Sequence, residues 1–234
     1  MSAPDLSALR SRYDLSAVAE ARLRELLALL SADEFAPTTV RVPERVRDDH
    51  IADALVALEL EVVRSARTLV DVGSGAGVPG LPLAIALPEA RVTLIEANGR
   101  KCDFLRRAVE QLALANVTIL PSRAEEVAQA AREGWDIVTA RALAPLAVVA
   151  EYAAPLLRVG GVLVAWRGQR EPEVEAEADG AAKVLGLSAQ IVRHVEPYPG
   201  ASHRHLHLMS KVSPTPSRFP RRPGVARKRP LGSG

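Results

Sequence analysis

The sequence predicts an α/β fold: a mostly parallel, doubly wound sheet of Rossmann-like type, ending in a C-terminal antiparallel hairpin and carrying an N-terminal helical extension. Three observations support this. Short apolar runs at 68–72, 91–95, 117–120, 137–139 and 161–166 alternate with helical segments, as βαβ units around a buried parallel sheet do. The first run enters a glycine-rich turn ahead of a helix, the junction at which such sheets collect ligands. Two further runs, 189–195 and 203–210, are joined by Glu196-Pro-Tyr-Pro-Gly-Ala-Ser202, a link short enough for a hairpin.

Taken in chain order, Leu23, Leu26, Leu27 and Leu30 recur at three- and four-residue spacing and predict a helix over 16–31. Pro37 and Pro43 interrupt that period, and a second helical pattern covers 48–60. Residues 1–60 are therefore read as a helical extension. Residues 61–212 form the α/β domain, with crossover helices over 81–86, 101–114, 124–132 and 146–157 and a charged helix over 171–185. The remainder, 213–234, holds five prolines among basic residues and glycine and is read as an extended, flexible tail without a core of its own.

Composition excludes several classes. At 234 residues, 48% hydrophobic and 25% charged, the chain can bury a substantial core and is not of the disordered type. No apolar run reaches the ~20 residues that span a bilayer, and the start lacks the basic-then-apolar pattern of a signal peptide, so a cytoplasmic protein is expected. Cys102 is the only cysteine and cannot form an internal disulfide. The net charge of +2 is unevenly spread: seven basic residues and no acid follow Ser210, leaving about −5 on the body. A basic tail on an acidic body points to a polyanionic partner.

The strongest chemical signal is Asp71-Val-Gly73-Ser-Gly75-Ala-Gly77-Val-Pro-Gly80. Its glycines allow a sharp turn and close approach of backbone to ligand. The stretch from Gly75 also satisfies the dinucleotide fingerprint G-x-G-x-x-G. Two details favour S-adenosyl-L-methionine (SAM) over NAD. Asp71 places a carboxylate at the strand's exit, useful to a sulfonium and an amino group and unhelpful to a pyrophosphate. Pro79 and Pro82 remove amide donors from the first helical turn, weakening an anion site there. Glu96 ends the second strand, where doubly wound folds place an acid for ribose hydroxyls. After the third strand, Glu125 of Ser122-Arg-Ala-Glu-Glu126 reaches toward an adenine, or else closes a capping box with Ser122.

The order and co-occurrence of Asp71-Val-Gly-Ser-Gly-Ala-Gly-Val-Pro-Gly-Leu-Pro-Leu-Ala84, Arg100-Lys-Cys-Asp-Phe-Leu-Arg106, Ser122-Arg-Ala-Glu-Glu126, Thr139-Ala-Arg-Ala142 and the ending from Arg218 to Leu231 resemble the bacterial 16S ribosomal RNA guanine-N7 methyltransferases (RsmG, also GidB). The resemblance implies the Rossmann-like fold of SAM-dependent methyltransferases. It also implies SAM contacts at Gly73, Val78, Ala124, Glu125 and Arg141, and a guanine of 16S ribosomal RNA, or of the small ribosomal subunit, as acceptor. Alternatives are methylation of another RNA site or of a small molecule. The sequence departs from the family pattern at the proline-containing stretch 35–43, which replaces an asparagine-rich element, and at Arg167, where a lysine is expected.

Guanine N7 carries a free lone pair, so transfer requires positioning rather than a general base, and no catalytic acid or base is assigned. Arg167 and the tail cations Arg221, Arg222, Arg227, Lys228 and Arg229 are read as RNA contacts. The alternation His203-Arg-His205-Leu-His207 is read as a strand with Leu206 and Leu208 toward the core and its histidines on the opposite face, without a metal. Trp135, Trp166, Tyr152 and Tyr198 are candidates for stacking on a base, and equally for packing.

Overall fold

A computed structural model describes residues 5–232; Met1–Pro4, at the start where no signal-peptide pattern was expected, and the tail's last two residues, Ser233 and Gly234, lie outside the described residues. Seven strands form one sheet in the order β3-β2-β1-β4-β5-β7-β6. They are β1 (Thr68–Val72), β2 (Arg91–Ile95), β3 (Val117–Leu120), β4 (Trp135–Arg141), β5 (Leu157–Arg167), β6 (Ile191–His194) and β7 (His205–Ser210). β1 to β5 pair in parallel, while β7 runs antiparallel to both β5 and β6. The predicted mostly parallel sheet with a terminal hairpin is thus present. Of the hairpin's two strands, β7 lies inside because it brings Leu206 and Met209, both fully buried. β6 carries exposed Ile191, Arg193 and His194 and takes the edge, where polar side chains are tolerated.

The helices are α1 (Ser7–Tyr13), α2 (Ala17–Ala32), α3 (Pro43–Val46), α4 (Asp53–Leu55), α5 (Glu61–Arg64), α6 (Gly80–Ala86), α7 (Gly99–Gln111), α8 (Ala124–Ala130), α9 (Leu146–Ala153), α10 (Pro172–Leu185) and α11 (Val225–Lys228). A π-helical turn over Arg47–Ala52 and a 3-10 turn over Val56–Glu59 make the stretch from α3 to Glu59 nearly continuous. Ser16 caps α2, its hydroxyl accepting from Ala19 N at 3.1 Å. The buried stripe Leu23, Leu26, Leu27 and Leu30 joins one core with Leu81, Leu83 and Leu105 of α6 and α7. The N-terminal helices therefore complete one face of the sheet rather than standing apart from it. Among the described residues no helix is long and apolar enough to cross a membrane.

On the other face, α8, α9 and α10 build a second core that also takes in Phe219 and Ala226. The described part of the expected flexible tail is therefore a strap packed on the domain. The sequence reading found no acid within the segment to pair with its cations; the body supplies them. Arg221 Nε donates to Glu151 Oε1 at 2.8 Å, and Lys211, fully buried, donates to Glu133 Oε1 at 3.2 Å and Thr215 Oγ1 at 2.5 Å.

Candidate active site

β1 ends at the turn Gly73-Ser-Gly-Ala-Gly77, where Gly73, Gly75 and Gly77 have φ of 71°, 57° and 82°, angles open to glycine at no steric cost. Gly73 also needs the space, since a Cβ there would lie 2.5 Å from Leu143 Cδ1. Above this turn, at the carboxyl ends of β1 to β4, is a cavity of about 360 Å³ whose walls include Gly73, Glu96, Ala124 and Glu125. Four of the nine residues assigned to the cofactor therefore line it directly.

The other five are placed differently. Asp71 is fully buried below the turn, where Oδ1 accepts from Thr139 Oγ1 at 2.8 Å. Burial pushes its carboxyl up to about 6, against the hydrogen bond from Thr139. A Cβ on Gly80 would come within 3.0 Å of its Oδ2, so Asp71 packs under the first turn of α6 and supports the loop from beneath. Gly75 donates its amide to Glu96 Oε2 at 3.0 Å. Gly77 packs against Leu81 and Leu105, and Val78 is buried nearby. Arg141 turns away from this cavity altogether.

Glu96 accepts from Gly75 N through one oxygen and from Asn98 N, at 2.8 Å, through the other. A carboxylate has about four acceptor sites, so it can hold the glycine turn and still receive two hydroxyls. The capping of α8 differs from the sequence reading by one residue. Glu126 Oε2 accepts from Arg123 N at 3.0 Å and from Ser122 Oγ at 2.6 Å, which leaves Glu125 to face the cavity, where its Oε1 accepts from Gly224 N at 3.1 Å.

Arg141, at the end of β4, donates to Asp53 Oδ2 at 2.9 Å and to Asp49 O at 2.6 Å, and its Nη2 lies 3.1 Å from His50 Nδ1. His50 Nδ1 lies 3.1 Å from Asp49 O as well, and its Nε2 lies 2.7 Å from Thr38 Oγ1. Burial, and then the Arg141 charge, hold His50 down to about 4. Asp49 also accepts from Tyr198 Oη at 2.5 Å, and Trp166 Nε1 donates to Asp53 O at 2.7 Å. The sequence reading did not single out this acidic cluster. The spacing Asp49-x-x-x-Asp53, which puts two carboxylates on one helical face, was the available signal.

Arg141, Trp166, Arg167, Arg170 and Arg204 surround a second cavity of about 740 Å³, with Asp53 and Glu171 as its acids. The two cavities meet at Ala142, whose φ of 51° is a left-handed conformation costing an alanine roughly 1 kcal/mol. Arg167 Nη1 donates to Ala144 O at 3.1 Å. Of the tail cations, Arg221 is committed to buried Glu151, and Arg227, read as an RNA contact, lines the first cavity and donates to Leu143 O at 2.9 Å. Arg222, Lys228 and Arg229 are exposed.

Leu143 and Tyr152 also line the first cavity; Tyr152 lies on α9, at a helical spacing that reads as core. Trp135 packs against the second core. In the histidine row His203 is exposed and His205 half-buried, whereas His207 is buried, 2.5 Å from Gln190 Oε1, because Gln190, fixed by hydrogen bonds to Glu175 and Asp179 of α10, lies over it. Among the described residues no three His, Cys, Asp or Glu side chains are grouped to hold a metal.

A sheet of this order, with one cavity over its glycine turn and an arginine-lined cavity beside it, places the chain in the Rossmann-like class of α/β proteins. Among solved structures, a SAM-dependent methyltransferase from Aquifex aeolicus shares this fold with a TM-score of 0.55 at 18% identity, over 70% of this chain and 93% of that one. The chain belongs to the GidB family, rRNA small subunit methyltransferase G, whose model matches residues 22–206. Proteins named ribosomal RNA small subunit methyltransferase G from Rubrobacter xylanophilus and Chloroflexus aggregans are 47% and 43% identical, over 83% and 85% of this chain and 76% and 84% of theirs.

Proposed function

We propose that this protein transfers the methyl group of SAM to N7 of a guanine in 16S ribosomal RNA, acting in the cytoplasm on the RNA or on the small subunit. The observation that carries the reading is the pair of cavities meeting at Ala142, one above the glycine turn and the other rich in arginine. Gly73, Ala124 and Glu125 hold the cofactor, Glu96 receives its ribose hydroxyls, and Asp71, Gly75, Gly77 and Val78 keep the turn in shape. SAM, when bound, supplies an electrophilic methyl carbon on a sulfonium.

The acceptor base enters the second cavity, where Arg167, Arg170 and Arg204 offer donors to O6 and to flanking phosphates. Arg141 serves both sites indirectly: its ties to Asp49 and Asp53 fix the end of β4, and with it Ala142, at the junction. Guanine N7 needs no base to remove a proton, so the chain's work is alignment and exclusion of water. Mapping of 7-methylguanine in 16S RNA from cells with and without the gene tests the reading. One guanine should lose its methyl group in the deletion strain. An unchanged RNA, or loss of a methyl group at another ring position, overturns it.

A further inference from the structure

The strap over residues 213–232 has two populations of cations, and only one of them is accounted for by packing. Arg132 holds the strap's backbone through Phe219 O at 2.6 Å and Thr215 O at 3.0 Å. Phe219 and Ala226 are buried, and Arg221 is clamped on Glu151. Beside these anchors the chain reaches the first cavity: Gly224 N donates to Glu125 Oε1, and Arg227 forms part of the cavity wall with Leu143 and Tyr152. Arg222, Lys228 and Arg229 lie next to these contacts in sequence, are exposed, do not line the cavity, and have no side-chain partner among the described residues.

We propose that this strap is a cofactor closure engaged by RNA: Arg227 is a cofactor-binding residue, and Arg222, Lys228 and Arg229 take RNA phosphates, so that RNA binding tightens cofactor binding. The inference rests on the reading of the first cavity as the SAM site. A ligand whose ribose sits at Glu96, after β2, carries its adenine toward Ala124 and Glu125, after β3, and this is the end that Arg227 and Gly224 cover. A guanidinium there both donates hydrogen bonds and stacks on a planar ring. Arg222, Arg227, Lys228 and Arg229 repel one another across one short segment. Phosphates that neutralise three of them favour the ordered segment, and ordering it places the fourth. The coupling must be reciprocal, because it is a free energy shared by two sites.

The test is calorimetric titration of the full chain with S-adenosylhomocysteine, which cannot methylate the RNA, with and without a 16S ribosomal RNA transcript. Wild type should bind at least about fivefold more tightly in the presence of the transcript, the low end of ordinary coupling between sites. Arg227→Ala should weaken binding about tenfold even without RNA, the loss expected of one charged hydrogen-bonding group, with its melting temperature unchanged. The combined variant Arg222→Gln, Lys228→Gln and Arg229→Gln should keep wild-type affinity without RNA and lose the RNA-dependent gain. Unchanged affinity in Arg227→Ala, no tightening of the wild type by RNA, or tightening that survives in the triple variant each overturns the proposal. Gly73→Val separates this from failure of the cavity reading. If it keeps a cooperative melting transition and abolishes binding while Arg227→Ala does not, the strap is wrong and the site stands. If it binds as wild type does, the cavity itself is misassigned.

Discussion

Arg141 Nη1 stands 2.9 Å from Asp53 Oδ2, with the two side chains only 18% and 5% exposed, and this pair ties the end of β4 to the N-terminal helical segment. Burial raises the Asp53 carboxyl, with Arg141 and Arg204 opposing. Removing the arginine leaves the buried carboxylate only Arg204 Nε, 3.5 Å away, so Arg141→Ala should destabilise by up to about 3–5 kcal/mol, the usual range for breaking a buried pair from one side. Adding Asp53→Ala should restore part of the loss, as read by denaturant unfolding of both single variants and the double. A single variant as stable as the wild type would reduce the pair to a surface contact.

Gly75 and Gly77 should respond differently to alanine although both have positive φ. A Cβ at Gly75 meets nothing closer than Gly73 O at 3.8 Å, so Gly75→Ala carries only backbone strain of about 1–2 kcal/mol. At Gly77 the same Cβ runs into Leu81 and approaches Leu105 Cδ2 to 3.1 Å, which adds overpacking of about 1–3 kcal/mol. Thermal unfolding should rank Gly77→Ala clearly below Gly75→Ala, and the reverse order would contradict this account of the turn.

Arg221 and Arg222 are neighbours with opposite expected phenotypes. Glu151 is 1% exposed and depends on Arg221, so Arg221→Ala should destabilise by about 3–5 kcal/mol. Arg222→Ala should shift stability by less than about 0.5 kcal/mol, as an exposed replacement does, and should instead weaken RNA binding and flatten its salt dependence. Equal stabilities for the two variants would show that the strap is not clamped at Glu151.

Stability should fall as pH drops from about 6.5 toward 4. Burial holds His50 and His207 at about 4, below the ordinary 6.5. Both protonate in the unfolded chain first, so their contribution is full above 6.5 and is lost as pH falls toward 4. Asp71 opposes this. Raised from 3.8 to about 6, it contributes stability that is full below 3.8 and is lost as pH rises through about 6. Melting temperature against pH should therefore slope less in His207→Gln and more in Asp71→Asn. Three superimposable profiles would remove these groups from the acid response.

The alternation of short apolar runs with helical segments, the glycine turn and the short link after Val195 were enough to place the seven strands, with the first three bounded to the residue, because periodicity and glycine act over a few neighbouring positions. The same local signals brought Gly73, Glu96 and Glu125 to one cavity, and the family resemblance added Ala124: all four follow carboxyl ends of adjacent parallel strands, and the doubly wound topology makes those ends converge. Tertiary structure alone decided the rest, since a charged side chain's role depends on partners that sequence distance hides. Arg141 meets Asp53 across 88 residues, Arg221 meets Glu151 across 70, and Gly224 meets Glu125 across 99. The seven cations after Ser210, five of them read as RNA contacts, thereby divide into a buried lysine, a clamp, a cavity wall and an exposed remainder. Folding sorts identical charges by the acids and cavities it brings beside them, and no local pattern records which of them those will be.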